Sequence, residues 1–259
     1  MLKVVISAAF IYMEPTFENV DSEVIYGTDL KVVGETDRAY LVITPEEDKG
    51  WIRKVAVKEA HQEGHVAKIS SLWANVFREA NVFKEPLIQL PYGSKVSIID
   101  ETDKRWLKMK LLDGRIGWIQ RGDLSEDKTA TLDEALALSK RFIETPYTWG
   151  GGTASGIDCS GLTQLIFREM GIKLPHSARL QQKMGEQVSK ESLQKGDLIF
   201  FAYPENGKVV HVGIYLGNDQ FIHSQAKVGR PGGLISALSE EPWKGLYHSS
   251  SRFNFPERP

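Results

Sequence analysis

The feature that most constrains this 259-residue chain is an internal duplication. "IYGTDLKVVGETDRAYLVI", from Ile25 to Ile43, returns as "PYGSKVSIIDETDKRWLKM", from Pro91 to Met109. Tyr26-Gly27 matches Tyr92-Gly93, and Glu35-Thr36-Asp37 matches Glu101-Thr102-Asp103 at the same offset. Gly50-Trp51 then matches Gly117-Trp118 after a one-residue slip in a loop, and upstream Phe10-Ile11 falls opposite Val76-Phe77. A unit used twice has to bury its own core within about 50 to 60 residues. Its apolar residues come in short alternating runs broken by turn residues, which is the pattern of a small all-β barrel. Two such barrels are expected, over residues 1–58 and 66–126.

The duplication also gives the N-terminus a use. The apolar stretch from Val4 to Met13 is far shorter than the roughly 20 residues of a membrane span. Glu14, Pro15, Thr16 and Phe17 follow it, with no small-residue cleavage site. A buried strand is the better reading, and the expectation is a cytoplasmic protein, with the periplasm or cell envelope as the alternative. The formal net charge of −2 supplies no attraction for nucleic acid. Between the repeats, His61 and His65 in "HQEGH" have the spacing of a helical zinc pair. A zinc peptidase needs Glu directly after the first His, where this chain has Gln62, and Gly64 weakens a helix. The segment reads as a solvated linker, and no metal or other cofactor is expected.

A third domain is expected over residues 129–259. Thr131 and Glu134 form a capping box, and Leu132, Ala135, Leu136, Ser139 and Ile143 recur at helical spacing until Pro146. Next comes "PYTWGGGTASGIDCSGLTQLIF", which holds Cys159, the one cysteine of the chain. A single cysteine excludes an internal disulfide and any multi-cysteine zinc site. Leu162, Leu165, Ile166 and Met170 describe an amphipathic helix ended by Gly171, so Cys159 stands at its first turn beneath a glycine-rich loop. The partial positive charge of a helix start lowers a thiol pKa, and its free N–H groups can hold an oxyanion. A lone cysteine is more often a small buried hydrophobe; the loop, the helix start and the polar neighbours Asp158 and Ser160 favour a nucleophile.

A nucleophilic cysteine needs a base and a group to orient that base. "KGDLIFF", "KVVHVGIYLG" and "QFIHSQAK" read as three strands, with a tight turn at Gly217-Asn218-Asp219. Pairing of the last two brings His211 beside His223, completing a Cys/His/His set. His176 reads as a surface or cleft-rim residue, and His248 has no evident partner.

In this order the segments "PYTWGGGTASGIDCSG", "LPHSARLQ", "KGDLIFF", "HVGIYLG" and "FIHS" resemble the NlpC-type cell-wall cysteine peptidases. The "GWI" and "YG…V" elements of the repeats resemble bacterial SH3-like domains. The resemblance implies a multidomain chain: two small all-β SH3-like barrels, then an α+β papain-like peptidase domain. It implies hydrolysis of the γ-D-glutamyl to diamino acid (diaminopimelate) bond of peptidoglycan stem peptides. Carried over by motif, Cys159 is the nucleophile, His211 the base and His223 its orienter. Tyr147 faces the active site, and Asp158 and Ser160 contact substrate. In related enzymes an acidic residue in a segment like "PRD" holds the free amine of the substrate. Here the segment is Pro175-His176-Ser177, so an amine contact has to come from elsewhere, such as Asp158 or Glu14. Barrels folded back on the third domain would close one end of the cleft, which suits a free stem peptide in wall turnover or recycling. The partner is then a stem peptide, with neither nucleic acid nor a membrane span, and a monomer is favoured. Two other readings compete: a non-catalytic wall-binding scaffold, and a Cys/His amidase acting on another amide.

Overall fold

In the computed structural model of the chain, which describes residues 1–226, 229 and 231–255, the two repeats fold to the same plan. The first holds β1 (Leu2–Val4), β2 (Ala8–Tyr12), β3 (Val20–Ile25), β4 (Asp29–Glu35), β5 (Ala39–Ile43), β6 (Lys49–Arg53) and β7 (Val57–Glu59). The second holds β8 (His65–Ile69), β9 (Trp73–Phe77), β10 (Pro86–Pro91), β11 (Lys95–Asp100), β12 (Trp106–Lys110), β13 (Ile116–Gln120) and β14 (Leu124–Ser125). Their sheets run β3-β2-β6-β5-β4-β1-β7 and β10-β9-β13-β12-β11-β8-β14, so each strand has its counterpart in the same place. Among the described residues no pairing joins the first strand of either order to the last. The expected barrels are therefore two open seven-stranded sheets, each curled on its own core.

The repeated residues are those the turns and close approaches require. Gly27 and Gly93 take φ of 83° and 85°, in the left-handed region that favours glycine. Their N–H groups donate to Val4 O and Ile69 O, both at 2.9 Å. A side chain at Gly50 would strike Ile11, and one at Gly117 would strike Val76. Ile11 is thus the counterpart of Val76, one residue away from the expected alignment. The N-terminal apolar stretch supplies buried Val4 in β1 and buried Ile11 in β2. The symmetry breaks at Tyr26. Its ring is 2 % exposed and lies in the core of the second repeat, where its hydroxyl accepts a 2.6 Å bond from Leu112 N–H. The expected linker is shorter than the sequence suggests: His65 already belongs to β8, and its exposed Nδ1 lies 2.6 Å from Glu101 Oε1.

Contacts divide the chain after Asp127. From Lys128 onward the chain carries α1 (Leu132–Lys140), the short pair β15 (Gly152–Thr153) and β16 (Gly156–Ile157), and α2 (Cys159–Glu169). Then follow α3 (Ala178–Gln181), β17 (Glu186–Val188), β18 (Leu198–Ala202), β19 (Val209–Gly217), β20 (Gln220–Gln225), β21 (Gly232–Ala237), α4 (Trp243–Leu246) and β22 (Tyr247–Arg252). Lys227 of the expected third strand and residues 256–259 of the expected third domain lie outside the described residues. Five antiparallel pairings build one sheet in the order β17-β22-β18-β19-β20-β21, and α2 packs on β19 and β20. α1 opens with the full capping box, Thr131 with Glu134. It ends at Lys140, before Ile143, because Arg141, Phe142, Ile143 and Thr145 turn back on Leu138, Ser139, Lys140 and Phe142, and Glu144 N–H bonds to Gly233 O. α2 differs from the amphipathic expectation in being buried on every side from Cys159 to Phe167. A helix enclosed in this way is a central element of its domain.

Candidate active site

Cys159 is the first residue of α2, and Asp158 is its N-cap. The Asp158 carboxylate receives four donors. Gly161 N–H and the Ser160 hydroxyl reach Oδ1 at 2.7 and 3.1 Å. Gly150 N–H reaches Oδ2 at 2.8 Å, and His176 Nε2 lies 3.1 Å from the same oxygen. One side chain thereby caps the helix and ties the glycine-rich loop to it. The loop must be glycine where it meets the helix: Gly150 takes φ of 72°, and a side chain on Gly161 would collide with Gly151 O. Burial opposes ionisation of this carboxyl, but His176 beside it and the two backbone donors outweigh that effect and hold it below its ordinary range.

The expected substrate contacts at Asp158 and Ser160 give way to internal ones. Asp158 is 4 % exposed with its acceptor positions filled, and Ser160 is also buried with its hydroxyl turned to Asp158. His176 is buried rather than on the surface, because Asp158 draws it inward. Tyr147 is half-buried, and its hydroxyl pKa is raised by burial and then by the nearby Cys159 and Asp158 charges. His248 is exposed on β22.

His211 is the third residue of β19, and His223 the fourth of β20. The turn between these strands passes through Asn218 and Asp219 at φ of 51° and 64°, and pairs Gly217 with Gln220. Since Ile214 faces Ile222, His211 and His223 are diagonal neighbours on one face of the sheet. The rings span the diagonal: His211 Nε2 lies 2.9 Å from His223 Nδ1. The other nitrogen of His223, Nε2, lies 2.9 Å from Ser236 Oγ on β21. Trp243 stacks on His211 at 5.0 Å between centroids, and Phe201 and Phe221 fill in around the two imidazoles.

The thiol meets this group through the backbone: Val212 N–H, next in the chain to His211, hydrogen-bonds to the Cys159 sulfur, as does Ser160 N–H. These donors favour thiolate, but burial dominates and, with the Asp158 charge, pushes the thiol pKa up to about 12. Burial likewise pushes His211 down to about 4, opposed only by Asp158, and holds His223 well below its ordinary value. Both shifts oppose ionisation and favour the neutral thiol and the neutral imidazole. The lowering expected from the helix start is outweighed by burial first and by the Asp158 charge second. The arrangement joins a thiol at the start of α2, through Val212 N–H, to the strand that carries His211, with His223 bonded to that imidazole. Ser236 and Trp243 carry no local sequence signal; only strand pairing brings them here.

Residues 144–252 match the NlpC/P60 family, and residues 4–59 match the YKFC SH3b2 domain. Murein DD-endopeptidase MepS/Murein LD-carboxypeptidase of Escherichia coli (strain K12) is 45% identical over 136 residues, which is 49% of this chain and 70% of that protein. The gamma-D-glutamyl-L-lysine dipeptidyl-peptidase of Bacillus subtilis (strain 168) is 30% identical over 220 residues, covering 79% of this chain and 72% of its own length. The protein of that name from Bacillus cereus (strain ATCC 10987 / NRS 248) is 34% identical over 148 residues, or 54% of this chain, and the match spans only 44% of its own length. An NlpC/P60 family protein from Bacillus cereus ATCC 10987 superposes with a TM-score of 0.83 over 99% of this chain and 100% of its own, at 22% identity, a likeness of fold.

Proposed function

Given that the chain belongs to the NlpC/P60 family of cysteine peptidases, we propose that it hydrolyses the γ-D-glutamyl to diamino acid bond of free peptidoglycan stem peptides. The observation that carries the reading is the Val212 N–H bond to the Cys159 sulfur, which ties the thiol to the strand that carries His211, itself 2.9 Å from His223. His211 takes the thiol proton as sulfur attacks the γ-glutamyl carbonyl, forming the carbon–sulfur bond of a tetrahedral intermediate. Asp158 already occupies Gly161 N–H, and Leu162 N–H bonds to Asp158 O. Cys159 N–H has no acceptor among the described residues and is the helix-start donor left for the oxyanion. Protonated His211 then returns its proton to the leaving amine as the carbon–nitrogen bond breaks. Water, activated by the same imidazole, cleaves the thioester and regenerates the thiol.

The bond and substrate class rest on a relative that aligns over 79% of this chain and is named for γ-D-glutamyl chemistry. Release of a dipeptide, the action in that name, requires a free peptide N-terminus. We read the two β units as SH3-like modules, the first by its family match and the second by its identical strand order. The test is L-Ala-γ-D-Glu-diamino acid offered free and muramyl-linked, with products followed by mass spectrometry. Expected is release of L-Ala-D-Glu from the free peptide, little from the linked one, and none from Cys159→Ala. Faster cleavage of the linked form, or cleavage only at a D,D bond in cross-linked dimers, would refute the reading.

A further inference from the structure

A base on His211 is useful only in one arrangement of protons, and the network that decides it ends at a residue with no assigned role. For Nδ1 of His211 to receive the thiol proton it must be bare, so the ring proton must sit on Nε2. That proton then points at His223 Nδ1, 2.9 Å away, which must accept. His223 is left with its proton on Nε2, aimed at Ser236 Oγ at 2.9 Å. The reverse order is equally continuous: the Ser236 hydroxyl donates to His223 Nε2, His223 Nδ1–H donates to His211 Nε2, and His211 Nδ1 is filled. In that state His211 cannot take the proton of Cys159.

We propose that Ser236 is a positioning residue that keeps the His223–His211 pair in the productive proton order by accepting from His223 Nε2–H. The inference rests on the reading of Cys159 and His211 as nucleophile and base. Three features of the surroundings support it. His223 is fully buried, and Phe221 and Trp243 cover its ring. A serine oxygen is therefore the acceptor within reach of its Nε2–H. Ser236 itself is only half-buried, at a position of β21 facing Phe221, so its own hydroxyl proton can turn outward to water. Finally, Ser236 is neutral. A carboxylate in its place would favour a charged His223 and hold the proton there, whereas a hydroxyl orders the pair and leaves His211 free to return its proton to the leaving amine.

Removing the hydroxyl strands a buried N–H in the productive order, and a bare nitrogen in the other. Buried donors without acceptors are the rarer case in folded proteins, so the balance shifts toward the idle order. In Ser236→Ala, kcat is expected to fall about tenfold with KM unchanged. Ser236→Thr, which keeps the oxygen, restores kcat to within about twofold, and Ser236→Val, of threonine's shape, does not. Nitrogen-15 correlation spectra of histidine-labelled protein without substrate report the order directly. His223 carries its proton on Nε2 in the wild type and on Nδ1 in the alanine and valine variants. The spectra stand even if the substrate proves to be another amide, which separates failure of this inference from failure of the proposed substrate. Wild-type kcat in Ser236→Ala, recovery in Ser236→Val, or an unchanged His223 tautomer in either variant would overturn it.

Discussion

Asp158→Asn separates two roles that one carboxylate performs. Asparagine caps a helix as well as aspartate does, so its amide oxygen can keep the bonds from Gly161 N–H and Ser160 Oγ. The amide nitrogen then takes the place of Oδ2, where Gly150 N–H arrives at 2.8 Å and His176 Nε2 at 3.1 Å. Two donors meet at Gly150, leaving a buried N–H unpaired at about 1–3 kcal/mol. The His176 contact survives only with Nε2 bare and accepting from the amide N–H, a neutral hydrogen bond that lacks about 1 kcal/mol of charge assistance. The sum is about 2–4 kcal/mol against the peptidase unit, with the helix cap intact. Asp158→Ala, which removes the cap as well, costs about 1 kcal/mol more. Urea unfolding gives the totals. Amide exchange locates them: Gly150 loses protection in the asparagine variant while Gly161 keeps it. A loss below about 0.5 kcal/mol, or equal deprotection of both amides, would show that the loop does not hang on Oδ2.

Gly161→Ala places a methyl against Gly151 O and 3.1 Å from His176 Cε1, and should cost about 1–3 kcal/mol by urea unfolding together with most of the activity. Gly122→Ala, with open space around it, should cost neither. His211 is shifted down from 6.5 to about 4 by burial, so on acidification the unfolded chain takes its proton first. Stability should hold above pH 6.5 and fall by roughly 2 kcal/mol by pH 5, a slope that His211→Gln reduces and that urea titrations at both pH values will measure. His211→Ala should remove turnover, while His223→Ala, which costs orientation rather than the proton acceptor, should retain more of it; equal loss in steady-state kcat would give His223 a direct part in proton transfer.

What was legible in the sequence was what local chemistry enforces. Gly27 and Gly93 return because their turns need positive φ. Gly50 and Gly117 return because Ile11 and Val76 press on them. The Thr131–Glu134 box fixed the start of α1, and the turn at Asn218-Asp219 carried His211 to His223. What was not legible depends on contacts distant in sequence. Sheet order brings Ser236 to His223 and curls Trp243 over His211, yet neither residue has a distinguishing neighbour. His176 lies between Pro175 and Ser177 and reads as surface until Asp158 is known to need a partner. Barrel closure failed as an expectation because alternation specifies which face is buried, not whether the edge strands meet.

The thiol is the instructive disagreement. A helix start alone argues for a lowered pKa, yet the sulfur of Cys159 is pushed up to about 12. The two facts are reconciled by burial, the larger cause, and then by the residue before it. Asp158 spends the positive end of α2 on a cap and on the loop, and its charge then opposes a second negative charge on the adjacent sulfur. Burial opposes ionisation of Cys159 and His211 separately, but passing the proton between them creates opposite charges side by side, each offsetting the desolvation of the other. Val212 N–H and Ser160 N–H are already in place on the sulfur when that happens. Ionisation is thus tied to the arrival of a carbonyl that accepts the sulfur electrons, rather than standing ready in the empty site. The buried cap makes the nucleophile selective by making it dormant, and the His211–His223–Ser236 order determines whether the base can receive its proton when substrate binds.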